Sequence, residues 1–134
     1  MNKKGTRALA SATVVGLVLA TVATGNVKAA PGDVNKVQGN DRYETAANVA
    51  KANWKDGAKD VIIASGNGYA DSLSASVLAK KLNAPIILTT AGELNSNAKS
   101  ALQTLKPENV YVIGGNASVS QAVRDGLKKR LQSN

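Results

Sequence analysis

Several residues in this chain have the types and spacing that chemistry uses. Ser96 and Lys99 form S-x-x-K, the helical spacing of a Ser-Lys pair, and Ser65 stands at the end of an apolar run where a nucleophile could be aimed. Gly66 and Gly68 make G-x-G at the start of a helix-like segment, as a phosphate cradle does. Asp41, Glu44 and Asp71 could supply paired carboxylates. Each reading meets an obstacle. The K-T-G and S-D-N companions of a Ser-Lys site are missing, and "ASG" around Ser65 is not a G-x-S-x-G elbow. Asp71 stands where a dinucleotide fingerprint needs its third Gly, and its charge would repel a pyrophosphate. The chain has no His and no Cys, which removes the Ser-His-Asp triad, the Cys nucleophile and the commonest metal ligands. Neither a catalytic group nor a metal or cofactor is expected. Capping suits Asp41 and Glu44 better, and a turn or an ion pair with Arg42 suits Asp71.

The elements that position these residues begin after a leader. Lys3, Lys4 and Arg7 precede an apolar stretch from Ala8 to Ala23, and Val27-Lys28-Ala29 offers a cleavage site. Residues 1–29 therefore read as a secretory signal peptide, 30–36 as a flexible leader and 37–134 as one domain. Cleavage would remove four basic residues, leaving +4 where the whole chain carries +8. That charge permits attraction to an anionic surface. No membrane span is expected after cleavage, and no nucleic-acid partner. Without Cys, an exported domain must rely on packing.

Within the domain, Tyr43, Ala46, Ala47, Ala50 and Trp54 recur at helical spacing, with Asp41 and Glu44 as a capping box. A strand follows at Val61 to Ala64, then a helix marked by Leu73, Val77, Leu78 and Leu82 and broken at Asn83-Ala84-Pro85. "IILTT" is a second strand. Leu94, Ala98, Ala101, Leu102 and Leu105 mark a helix that starts near Asn95 or Ser96, and "VYVIGG" is a third strand. Ser118 with Gln121 predicts the cap of a last helix facing inward through Val119, Ala122, Val123, Leu127 and Leu131. A further short strand near Val37 is weakly signalled. Continuous apolar strands alternating with helices predict an α/β fold: a short, mainly parallel sheet flanked by about four helices.

Ligands of an open parallel sheet bind beyond the carboxyl ends of its strands. Three loops fall there, "SGNGYAD", "TTAGE" and "GGNAS", all rich in Gly, Ser, Thr and Asn. Their backbone N–H groups and hydroxyls suit an anion or a sugar, although the same residues serve ordinary turns and caps. Tyr69, in its Gly turn, and Tyr43 are candidates for sugar stacking. Lys128, Lys129 and Arg130 read as a solvated helix end, with a polyanion-docking patch as the sharper alternative.

"GNDRYETAANVA", "VIIASGNGYADSLSASVLAKKLNAPIILT" and "VYVIGGNASVS" together resemble the type 2 cell-wall-binding repeat of Gram-positive surface proteins, best known in clostridia. The match spans about Val37 to Leu131. The resemblance implies a three-layer, Rossmann-like module that anchors an exported protein non-covalently to an anionic secondary polysaccharide of the wall, without catalysis. It implies a secreted protein at the cell wall or cell surface. The expected polymer-binding or site-shaping residues are Arg42, Ser65, Asn67, Tyr69, Asp71, Thr89, Gly114 and Gly115. Arg42 matches the family's opening motif and is expected to pair with Asp71. Family members usually carry three tandem repeats packed with pseudo-threefold symmetry, whereas one is present here. A homotrimer could replace the tandem arrangement, or the sequence could be a fragment. The alternatives are an accessory domain or modifier of a wall hydrolase such as an amidase, and a structural surface-layer component.

Overall fold

The computed structural model describes residues 31–133. The expected signal peptide, residues 1–29, lies outside the described residues. Lys36–Asn134 forms one compact unit, and residues 31–36 are exposed, with a turn at their start.

The sheet has three parallel strands: β1 (Asp60–Ser65), β2 (Ile86–Thr89) and β3 (Asn109–Ile113), in the order β2-β1-β3. Ile62 pairs with Ile86 on one side and Tyr111 on the other. The expected strand near Val37 is absent. Val37 lies in an irregular segment whose Gln38 carbonyl accepts from Asn48 Nδ2 instead of joining a ladder.

Four helices complete the described chain: α1 (Arg42–Asn53), α2 (Tyr69–Leu82), α3 (Ser96–Leu105) and α4 (Gln121–Gln132). Alternation along the strands divides the core into two faces. Val61, Ile63 and Ile87 point to one face, against Ala47 and Ala50 of α1, Ala98 and Leu102 of α3, and Val123 and Leu127 of α4. Ile62 and Ala64 point to the other, which α2 covers with Ala75, Leu78, Ala79 and Leu82. Small side chains let α1 and α2 approach the sheet closely, so the layers form despite few large residues.

Three expectations about helix faces and caps are corrected. Leu73 and Val77 were expected to help mark the periodic face of α2, yet they point outward, 64% and 75% exposed. Ala75, which hydrophobicity ranks low, takes the sheet position and is fully buried against Ile62 and Ala64. The α4 cap is Ser120, whose Oγ accepts from the Val123 N–H, and Ser118 lies in the preceding turn. Ala122 is consequently exposed, and Val119 enters the core from just before the helix. The α1 capping box forms one residue out of step. Asp41 Oδ1 accepts from the Glu44 N–H at 2.8 Å, but Glu44 Oε2 reaches back to the Asn40 N–H at 2.6 Å.

Candidate functional site at the carboxyl edge of the sheet

The three polar loops do converge beyond the strand ends. Ser65 and Thr89 pair across β1 and β2, and the Gly66 N–H donates to the Thr89 carbonyl at 2.9 Å. Both side chains are buried and engaged within the protein. Ser65 Oγ accepts from the Asn67 N–H at 3.2 Å, shaping the first turn. Thr89 Oγ1 donates to the Glu93 carbonyl at 2.9 Å, folding the second loop back on itself. These two residues shape the loops and leave no free hydroxyl on the surface.

Around the first loop, α1 supplies the supports. Arg42 Nη1 donates to the Gly66 carbonyl at 2.6 Å. The expected Arg42–Asp71 ion pair is not among the contacts of the described residues; the guanidinium donates to the Gly66 carbonyl instead. The Tyr43 ring lies so close to Gly66 that a Cβ there would come within 2.5 Å of its Cε1. Tyr43 Oη donates to Asn67 Oδ1 at 3.0 Å. Tyr43 is thus a packed support for the turn and not an open stacking platform. Tyr69 differs: at 83% exposed it is an outward aromatic at the first turn of α2.

Asp71 turns toward the third loop. A Cβ at Gly114 would sit 2.8 Å from Asp71 Oδ2 and 2.8 Å from Ser118 Cβ, and Gly114 has φ +115°. Only glycine fits that approach and that conformation. Gly115 is exposed, with open space where a side chain would stand. Its carbonyl accepts from the Ser118 and Val119 N–H groups. The second and third loops are tied by the Ser120 N–H donating to the Ala91 carbonyl at 2.8 Å.

Arg124 of α4 was not among the expected residues. Its Nη2 donates to the Gly114 carbonyl at 2.5 Å and its Nε to the Val119 carbonyl at 3.2 Å. It does for the third loop what Arg42 does for the first. The sequence signal was an Arg one turn into the helix that follows "GGNASVS", which reads equally well as a solvated charge.

The eight expected residues therefore separate by exposure. Arg42, Asn67, Tyr69 and Gly115 reach solvent, Asp71 and Gly114 interlock, and Ser65 and Thr89 are internal. The chemistry offered is recognition. The groups on the surface are a guanidinium, an amide, a phenol ring and backbone amides. Among the described residues no group of three or more acidic, His or Cys side chains could hold a metal ion, and no helix is long and apolar enough to cross a membrane.

The model of the family described as cell wall binding domain 2 matches residues 36–124. The chain belongs to that family. Cwp6 from Clostridium difficile, itself solved, superposes on 80% of this chain with a TM-score of 0.68 and 30% identity. Cwp8 from Clostridium difficile covers 75% of it, with a TM-score of 0.62 and 38% identity. Among curated proteins, the N-acetylmuramoyl-L-alanine amidase LytC of Bacillus subtilis is 33% identical over 99 residues, 74% of this chain. The amidase enhancer of the same organism is 34% identical over 94 residues, 70% of this chain. The chain spans 20% of the amidase, 13% of the enhancer, and 18% and 16% of the two solved chains. The shared part is the cell wall binding domain 2 fold, whose strand-end loops are those described above.

Proposed function

We propose that this chain is a secreted, non-catalytic module that anchors to the cell wall by binding an anionic wall polysaccharide at the carboxyl edge of its sheet. Residues 1–29 act as its signal peptide. Family membership supports wall binding. The observation that carries the site is the convergence of three polar loops, with Arg42, Asn67, Tyr69 and Gly115 exposed on one edge. Arg42 and backbone amides suit acidic groups, and Tyr69 suits the apolar face of a sugar ring.

Co-sedimentation of the chain from Ala30 onward with purified walls tests the reading. Retention is expected on intact walls and not on walls stripped of their secondary polymer by acid. It should weaken with salt, because exposed charges are screened beyond about 10 Å at 0.1 M. Equal retention on stripped walls would overturn the polymer assignment. Similarity to an amidase and an amidase enhancer favours a second reading, an accessory to a wall amidase. Its signature would be faster wall lysis when the chain is added to an amidase. Lysis by the chain alone would refute the non-catalytic assignment.

One module offers few contacts, so copies held together would gain through effective concentration. The homotrimer implied by the threefold packing of tandem repeats is one such assembly.

A further inference from the structure

Among the described residues, β3 pairs with β1 alone, and the sheet order β2-β1-β3 leaves its other edge open. In its ladder with β1, the Asn109 N–H donates to the Lys59 carbonyl. Parallel pairing alternates, so Asn109, Tyr111 and Ile113 address β1, while the N–H and C=O groups of Val110 and Val112 point away from it. Natural edges are usually blunted by Lys, Pro or a bulge. Val110-Tyr111-Val112-Ile113 carries no charge and no Pro.

On one face of the sheet an open groove runs between this edge and α4. Its floor is aliphatic, from Val110, Val112, Leu127 and Leu131, and its rim carries Arg124 and Lys128. Toward the end of α4 it continues into a hollow of about 190 Å³ with Arg130 at its margin. The helix carries four basic residues, Arg124, Lys128, Lys129 and Arg130, against one acid. That acid, Asp125, already accepts from Gln121 Nε2 at 3.0 Å. A second copy of α4 laid alongside would be repelled, so a strand that docks here must bring negative charge.

We propose that the β3 edge takes an extended acidic segment of another protein, added as a fourth strand. The outward N–H and C=O groups recur at every second residue, the spacing at which another extended backbone answers them. The cations match the same repeat. Arg124 and Lys128 stand one helical turn apart, about 6 Å along α4. Alternate residues of an extended strand are about 6.6 Å apart. Acidic side chains at positions i and i+2 of the added strand would therefore face both cations, their methylenes crossing the aliphatic floor. The intervening side chains would lie beside Tyr111, which is 37% exposed on the opposite face of the sheet. The groove holds no aromatic ring on which a sugar could stack, so the observations favour a peptide over an anionic glycan.

Fluorescence anisotropy tests this on the chain from Ala30 onward, which retains every core residue between Ala47 and Leu127. The probe is a short labelled peptide alternating glutamate with valine, and its counterpart alternates lysine with valine. Saturable binding of the glutamate peptide alone is expected. Lys128→Glu should weaken it about threefold or more. Lys129→Glu makes the same charge change outside the groove lining and should weaken it less. Methylating the peptide's amide nitrogens at every second residue removes the donors on one of its edges. Methylation of one alternate set should abolish binding, and methylation of the other should leave it intact. No binding, equal binding of both peptides, equal loss in the two lysine variants, or indifference to which set is methylated would overturn the proposal. Binding of polygalacturonate with the same dependence on Lys128 would also overturn it, by assigning the groove to an anionic glycan. The peptides are read without walls, so a failure of wall retention leaves the proposal standing.

Discussion

Arg42 shows how one side chain can serve the fold and the proposed site together. Its guanidinium is tied to the Gly66 carbonyl yet remains exposed at the strand-end edge. Arg42→Ala should lower stability by about 1 kcal/mol, a fall of roughly 4–8 °C in thermal midpoint for a domain of this size. Wall retention should fall with it. Loss of retention at an unchanged midpoint would instead place Arg42 in direct contact with polymer. Tyr69 makes a cleaner probe, because it supports nothing beneath it. Tyr69→Ala should weaken retention and leave the midpoint within about 0.5 kcal/mol of the parent. Gly114→Ala tests the interlock with Asp71. It should cost about 1–3 kcal/mol through its left-handed φ alone. Adding Asp71→Ala should recover only the part due to the steric clash. Full recovery would show that conformation was not the constraint.

At the scale of elements, the strands were legible as continuous apolar runs because both faces of the sheet are covered, and α3 because its apolar residues serve a single layer. All five residues marking α3 are buried. The helix α2 was misread on half of its apolar positions, because it carries large side chains on both faces: Leu78 and Leu82 with Ala75 and Ala79 toward the sheet, Leu73 and Val77 away from it. Periodicity finds spacing but does not say which of two apolar faces is inward. Leu73→Lys should therefore be nearly neutral, whereas Ala75→Leu should cost roughly 1–3 kcal/mol by overpacking. The α4 cap makes a similar point. Ser118 and Ser120 are both plausible caps, and the choice follows from Val119 being drawn into the core. Ser120→Ala should cost about 1 kcal/mol and Ser118→Ala much less, as chemical denaturation of the two variants would show.

For the molecule as a whole, the number of modules held together should set how tightly the wall is retained. A genetic fusion of three copies should bind walls about 10²-fold or more tightly than one copy, provided the linkers let the sites engage together. An affinity equal to that of one copy would mean that a single module already supplies the full contact.

The alternation of apolar strands with helices, the three polar turns and the ordered motifs are local properties, and the sequence by itself determined the fold class and the family from them. Pattern and turn chemistry act within a few residues, so one chain suffices to read them. Only the tertiary structure decided which apolar face of α2 meets the sheet, that Ser65 and Thr89 are internal, and that Arg42 takes the Gly66 carbonyl instead of Asp71. It also brought Arg124, absent from the expected site, onto the third loop. These outcomes depend on distances between segments far apart in sequence. A buried polar group takes whichever partner the packed backbone places nearest, and spacing along the chain does not encode that.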